Sequence, residues 1–129
     1  MKTPRYDFNA LVAEALDGLP EWVRAHIDNL AVVVEPSASD EQRRTVGVSL
    51  GSELLGLYEG VPLTQRGRGY QLVPPDRITL FREPLEWLAR DPRGQIDAQQ
   101  LVTLIRRTVI HEIAHHFGLS EAQLDELGY

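Results

Sequence analysis

The chain has 129 residues, of which 43% are hydrophobic, and this size suits one compact domain rather than two. It contains no cysteine, which excludes disulfides, thiol catalysis and cysteine-ligated zinc or iron–sulfur centres. The net charge of −6 argues against a general nucleic-acid binder. Residues 1–7 lack the apolar core of a signal peptide, and no apolar run approaches the roughly 20 residues that span a bilayer. We therefore expect a single soluble, cytoplasmic domain over residues 1–129, with neither a nucleic-acid nor a membrane partner.

The first two thirds of the chain alternate between apolar segments and turn residues. Asp7 is a good N-cap for a first helix that Gly18 stops, and Pro20 suits the first position of a second helix. The later strand over 77–82 alternates polar and apolar residues, which predicts one solvated face. In chain order, the predicted elements are a helix over 8–17, a helix over 20–29, a buried strand over 30–35, a surface loop over 36–44, a strand over 54–58, a strand over 77–82, a short helix over 83–90 and a turn over 91–94.

The last third predicts a long helix followed by a short one. Asp97 and Gln100 form a start that resembles a capping box, and the helix runs from there to Phe117, about 30 Å. Its apolar side chains cover more than half of its circumference, so it should be mostly buried. Gly118 ends it as a left-handed residue, and a second capping box over 120–123 begins the closing helix. The order α-α-β-β-β-α-α-α predicts an α+β domain.

The long helix carries the motif His-Glu-x-x-His at residues 111–115. His111 and His115 lie one turn apart on the same face, so both imidazoles can reach one zinc ion. Glu112 lies to the side of that face, where its carboxylate can take a proton from a water molecule that the metal activates. The alternative is that both histidines are core residues with satisfied hydrogen bonds.

A third metal ligand is expected after the helix. Gly118 lets the chain turn sharply, so that Glu121 can return to the metal with a carboxylate oxygen. Glu121 could equally be an acid that favours the start of the closing helix. Asp125, one turn later on the same face, is the competing ligand.

Other residues with chemical potential have simpler interpretations. His116 points about 100° away from His115, which favours a packing or supporting role over metal ligation. His26 is expected on the surface of the second helix. Tyr129 could donate to an oxyanion, although a terminal aromatic side chain is more often a hydrophobic plug. The Arg- and Gly-rich residues 66–70 most simply form a solvated loop.

Several longer stretches resemble a family of short bacterial zincin-like metallopeptidases. They are Leu-Gly-Leu-Tyr-Glu-Gly-Val-Pro-Leu-Thr at 55–64, Pro-Asp-Arg-Ile-Thr-Leu-Phe at 75–81, Arg-Arg-Thr-Val-Ile-His-Glu-Ile-Ala-His-His-Phe-Gly at 106–118 and Leu-Asp-Glu-Leu-Gly-Tyr at 124–129. The resemblance implies a minimal zincin fold, in which a small twisted sheet packs on the active-site helix. It also implies zinc on His111 and His115, with Glu112 as general base. The family usually has aspartate where this chain has Glu121.

The resemblance also implies how a peptide binds. Zincin substrates lie antiparallel to an edge strand above the helix, and residues 54–58 are the predicted edge here. Because the chain ends about a dozen residues after the motif, we expect an open cleft that accepts short or flexible peptides.

Three functions are therefore compared. The leading one is a zinc-dependent peptidase that uses metal-activated water, with Glu112 as general base. The second is a zinc-binding module that recognises peptides or a protein without catalysis, for which Glu112 is dispensable. The third is a structural α+β domain without a metal.

Overall fold

The computed structural model describes residues 6–27, 30–46, 54–60 and 76–128, with the backbone alone for Val46 and Glu121. In this part of the chain, six helices and one small sheet form an α+β fold, as the sequence predicts. The elements are α1 (Phe8–Asp17), α2 (Glu21–Ile27), β1 (Leu30–Glu35), α3 (Asp40–Val46), β2 (Gly56–Gly60), β3 (Asp76–Phe81), α4 (Arg82–Leu88), α5 (Ala98–His116) and α6 (Glu121–Glu126). None of the described helices is long and apolar enough to cross a membrane.

The described sheet has three strands in the order β1-β3-β2. β1 runs parallel to β3, whereas β2 runs antiparallel to it. The predicted strand over 54–58 begins two residues later and ends at Gly60. β2 is an outer strand of this sheet, which agrees with the predicted edge.

Strand position in the sheet corrects two predictions about burial. The strand over 30–35 was expected to be buried, but each of its residues is only partly buried because β1 lies at an edge. The strand over 77–82 was expected to have one solvated face. As β3, it is central, and from Ile78 to Phe81 both of its faces are covered: Thr79 is as fully buried as its neighbours Ile78 and Leu80, and only the start of the strand, at Asp76 and Arg77, is accessible.

The region over 36–44 was predicted to be a surface loop, which is wrong because α3 begins at Asp40. The Ser39 hydroxyl accepts from the backbone N–H of Gln42, and the Gln42 side chain accepts from the backbone N–H of Ser39. This reciprocal pair is a capping box, which satisfies donors that a helix start leaves exposed. Polar composition hid the helix, because α3 has few apolar residues to reveal a helical period.

The start of α5 is the one predicted from the sequence. The Asp97 side chain accepts from the backbone N–H of Gln100, and α5 then continues for 19 residues, about 28 Å. Gly118 adopts φ +86° just beyond its end, the left-handed conformation that glycine tolerates best. The sequence predicts a mostly buried helix that includes Phe117, but α5 ends at His116 and the Phe117 side chain is 52% exposed.

The buried face of α5 is the centre of the hydrophobic core, where it contacts α1 and the sheet. The α5 residues in this core are Leu101, Val102, Ile105, Val109, Ile110, Ile113 and Ala114. Arg106 fastens α1 to this helix, because its Nε donates to the carbonyl oxygen of Ala15 at 3.2 Å. A Cβ atom at Gly18 would collide with the same guanidinium. Gly18 therefore provides room for Arg106, and its φ of −94° is an ordinary one.

Candidate active site

The two histidines and the glutamate of the motif line one cavity of about 380 Å³ between α5 and the start of β2. His111 and Glu112 are partly buried, and His115 is exposed. The complete set of lining residues is Leu54, Leu55, Gly56, Leu104, Arg107, Thr108, His111, Glu112 and His115. The motif therefore faces a cavity that a small segment of peptide could enter, and not the apolar core.

The two imidazoles have a separation that suits one metal ion. Their ring centroids are 6.0 Å apart, and the rings are nearly perpendicular, with an interplanar angle of 84°. Because Zn–N bonds are about 2.0–2.1 Å long, two imidazoles on one zinc ion have centroids roughly 5–6 Å apart. Neutral imidazole nitrogens are also among the ligands that zinc prefers. The donor set of His111 and His115 thus fits zinc in chemistry and in spacing.

Glu112 is held by the sheet. Its Oε1 accepts a hydrogen bond of 3.1 Å from the backbone N–H of Tyr58 in β2. Burial raises the pKa of Glu112 above its usual range, while the Tyr58 N–H and the charges of His115 and His111 act in the opposite direction. The net rise makes this carboxylate a better proton acceptor than an exposed glutamate.

Tyr58 itself is fixed at both ends of its side chain. Its hydroxyl donates to Asp76 Oδ2 at 2.6 Å, and its ring stacks on His116 with centroids 3.8 Å apart and an angle of 17°. The strand that supports Glu112 is therefore tied to β3 on one side and to the end of α5 on the other.

β2 lies against α5 and runs in the same direction. A Cβ atom at Gly56 would lie 2.6 Å from Thr108 Cγ2, so the strand backbone reaches the helix closely at this point. Two residues further along β2, Tyr58 meets Glu112, which is four residues further along α5. Two strand residues rise about 6.6 Å and four helix residues about 6 Å. The two contacts are therefore separated by nearly the same distance along β2 and along α5.

The outer edge of β2 faces the cavity. Leu55 accepts from the backbone N–H of Phe81, so Leu55 directs its carbonyl group towards β3. In an antiparallel pair this direction alternates, and the backbone groups of Gly56 and Tyr58 therefore point away from β3. The Tyr58 N–H follows this rule, because it reaches Glu112.

The predicted third ligand lies outside what the structure describes. Glu121 begins α6, directly after the Ser120 cap, but its side chain is not among the described ones. Asp125 is described and exposed, and it does not line the cavity. Among the side chains that the structure describes, which exclude that of Glu121, no three of His, Asp or Glu form a group that could hold a metal.

Two of the remaining candidates, His116 and His26, take the places expected of a supporting and a surface residue. His116 packs against Tyr58 and does not line the cavity. His26 is exposed on α2 and stacks on Phe117 with centroids 4.1 Å apart. Tyr129 and residues 66–70 lie outside the described part of the chain.

Sequence reasoning did not single out three residues that shape this site: Tyr58, Gly56 and Arg107. The first two matter because β2 lies on α5, a tertiary contact for which the sequence has no local signal. Arg107 could have been found, because it precedes His111 by four residues and so lies on the same helix face.

Comparison with known protein families gives a match for most of the chain. The sequence profile of a family described as zincin-like metallopeptidases matches residues 27–129, about four fifths of the chain. The match includes the sheet, the motif on α5 and α6, and it leaves out α1 and most of α2. No curated protein matches the chain. The family description indicates zinc-dependent hydrolysis of peptide bonds.

Proposed function

The chain belongs to the zincin-like metallopeptidase family, and we propose that it hydrolyses peptide bonds with a zinc ion held by His111 and His115 and with Glu112 as general base. The observation that carries the proposal is the cavity between α5 and β2, into which all three side chains face. A zinc ion bound there would supply Lewis-acid activation of a water molecule and of the peptide carbonyl group. Glu121 is the proposed third ligand, because its carboxylate is of the type that completes such sites.

Glu112 is proposed to receive the proton of the attacking water at a carboxylate oxygen and to pass it to the leaving amine. Two features support this role. Burial raises the pKa of the carboxyl group, and the Tyr58 N–H holds Oε1 in a fixed position. A hydrogen bond that holds one oxygen leaves the other oxygen of the same carboxylate available for proton transfer.

The outer edge of β2 is proposed to bind the peptide by strand addition, antiparallel to β2. The backbone groups of Gly56, directed away from β3 and into the cavity, support this mode of binding. A substrate that adds a strand must be extended and must offer its own backbone groups. We therefore propose short or flexible peptides as substrates, and not folded proteins.

The test is hydrolysis of a peptide pool by the zinc-loaded wild type and by Glu112→Gln. The variant keeps the size of the side chain and its ability to accept from Tyr58, but it cannot take up a proton. We expect zinc content to stay at the wild-type value and hydrolysis to fall by at least about 100-fold, the usual contribution of a general base. The matched control is Glu14→Gln, which replaces an exposed carboxylate on α1 with a carboxamide and should leave hydrolysis unchanged.

The rival function is a zinc-binding module without catalysis. It predicts that the wild type binds zinc and peptides but cleaves none of the pool, and that Glu112→Gln behaves like the wild type. Hydrolysis that persists in Glu112→Gln would contradict the proposed role of this residue.

A further inference from the structure

Arg107 lines the same cavity as the motif and carries a charge that the proposed chemistry does not use. We propose that Arg107 binds a carboxylate of the peptide substrate, on the C-terminal side of the bond that is cut. The inference rests on the proposed function and adds the substrate class: peptides with a free C-terminus or an acidic side chain close to the cleaved bond.

The location of Arg107 on α5 is the first argument. It precedes His111 by four residues, so it lies on the same face, about 6 Å along the helix axis. A residue of extended peptide spans about 3.3 Å, and a carboxylate at Arg107 would therefore belong to a residue within about two positions of the cleaved bond.

The partners of the two adjacent arginines are the second argument. Arg106 is partly buried and donates to Ala15, so its role is to join α1 to α5. For Arg107, no carboxylate of the described residues forms an ion pair with its guanidinium. Arg107 is exposed and lines the cavity, and a guanidinium presents a planar fork of donors that matches a carboxylate.

The other residues at the Arg107 end of the cavity are mostly apolar. Leu104 on α5 and Leu54 and Leu55 before β2 form the apolar wall at this end. The other charged or titratable groups that line the cavity are His111, Glu112 and His115, which follow Arg107 by four to eight residues along α5. Among the described residues that line the cavity, Arg107 is thus the one arginine or lysine, about one helical turn from the first proposed zinc ligand and next to apolar side chains.

The direction of β2 assigns the carboxylate to one side of the cleaved bond. β2 runs from the Leu55 end of the cavity towards Tyr58 and Glu112, in step with α5. A peptide antiparallel to β2 therefore runs from the Tyr58 end towards Arg107. Its residues after the cleaved bond are the ones that meet the guanidinium.

The experiment uses randomised N-acetylated hexapeptides, prepared as one pool of free acids and one pool of amides. The zinc-loaded wild type, Arg107→Gln, Arg107→Glu and the control Arg24→Gln each digest both pools, and mass spectrometry locates every cut. Arg24 is exposed on α2 and does not line the cavity. Two readouts distinguish the carboxylate sources: cuts close to the terminus in the acid pool, and Asp or Glu after the cut in the amide pool.

For the wild type and Arg24→Gln, we expect at least one of these preferences, at roughly tenfold over neutral peptides, the size of one charge-assisted contact. Arg107→Gln should lose the preference, and Arg107→Glu should replace it with a preference for Lys or Arg after the cut. A wild type without carboxylate preference, or an Arg107→Gln variant that keeps it, would overturn the proposal.

A binding measurement separates this proposal from the proposed function. Zinc-loaded Glu112→Gln is immobilised, with and without Arg107→Gln, and retention of the acid and amide pools is compared. If no pool is cleaved by any variant, the peptidase proposal fails, and the Arg107 proposal still predicts greater retention of carboxylate-bearing peptides only where Arg107 is present. Equal retention on both variants would contradict it.

Discussion

The backbone N–H of Tyr58 donates to Oε1 of Glu112 at 3.1 Å and so connects the outer strand β2 with the motif helix α5. This contact fixes the position of the Glu112 carboxylate relative to the edge of β2, because any shift of β2 along α5 would break the hydrogen bond. The strand proposed to bind the peptide is therefore the same strand that positions the proposed base.

The raised pKa of Glu112 predicts how the stability of the metal-free protein depends on pH. Burial makes the folded state hold this proton more tightly than the unfolded state, whose reference pKa is 4.5. Below pH 4.5, Glu112 is protonated in both the folded and the unfolded state, so its raised pKa has no effect on stability. As the pH rises through the folded-state pKa, the unfolded state is favoured because its carboxyl group ionises more easily, and the free energy of unfolding falls. Glu112→Gln has no carboxyl group to ionise at this position. We therefore expect its free energy of unfolding, relative to that of the wild type, to be higher at neutral pH than at acidic pH.

Urea denaturation of both proteins after chelation, at pH 4 and pH 7, measures this difference. Other carboxylates contribute equally to both proteins and cancel. The control Glu14→Gln replaces an exposed carboxylate and should track the wild type. A stability difference between Glu112→Gln and wild type that stays constant with pH would contradict the burial effect.

Tyr58→Phe tests the hydrogen bond from Tyr58 in β2 to Asp76 in β3. The variant removes the hydroxyl that donates to Asp76 at 2.6 Å and keeps the stack on His116 and the backbone N–H to Glu112. We expect a loss of about 0.5–1.5 kcal/mol in the free energy of unfolding, the net contribution of one hydrogen bond. Tyr58→Ala should lose more, because the ring stack goes as well. A Phe variant as stable as the wild type would show that the Asp76 hydrogen bond contributes nothing.

Gly56→Ala tests the close approach of β2 to α5. The new Cβ would lie 2.6 Å from Thr108 Cγ2 and 3.3 Å from the carbonyl oxygen of Thr79, so strand or helix must shift. Overpacking of this kind typically costs about 1–3 kcal/mol, which urea denaturation measures. Because the strand also positions Glu112, hydrolysis should fall with it.

A double variant shows whether the methyl group of Thr108 is the obstacle. Thr108→Ser removes Cγ2 but keeps the hydroxyl that donates to Leu104. Gly56→Ala with Thr108→Ser should recover part of the stability lost by Gly56→Ala alone. Gly60→Ala is the matched control in the same strand, because among the described atoms its Cβ would approach the exposed end of the strand pair, at 3.3 Å from Asp76 Oδ1 and 3.9 Å from Asp76 Cγ, and no helix atom. Absence of any recovery would exclude the Thr108 contact as the cause.

Acid should release the zinc ion. Imidazoles bind a metal only when neutral, and free imidazole takes up a proton with a pKa of about 6.5. In the presence of a chelator, zinc occupancy should therefore fall as the pH decreases through this value and below. Occupancy that stays constant down to about pH 4 would contradict ligation by His111 and His115.

Local signals predicted the elements that begin or end with a specific cap. Asp97 and Ser120 cap α5 and α6 through the same backbone N–H groups that their sequence spacing indicates. The identical Ser-x-x-Gln pattern at Ser39 was present as well, but the polar composition of 36–44 concealed it. Capping boxes are therefore evidence for a helix even without an apolar period.

Strand burial and the surroundings of the motif could not be predicted in this way. The order β1-β3-β2 decides that Thr79 is buried and that Val32 and Val33 in β1 are only partly so, and strand order depends on contacts distant in sequence. In the same way, the spacing of the motif predicts which side chains share a face of α5, but not which strand covers it. The contact between Tyr58 and Glu112 joins residues 54 positions apart.

The zinc content of the purified protein tests the metal site most directly. Elemental analysis of the wild type, His115→Ala and the control His26→Ala, all purified without added metal, should give about one zinc per chain for the wild type and for the control. His115→Ala should have lost it, because His115 is a proposed ligand and His26 is exposed on α2. A wild type that holds no metal even after zinc is offered, or a His115→Ala variant that keeps a full equivalent, would contradict the site.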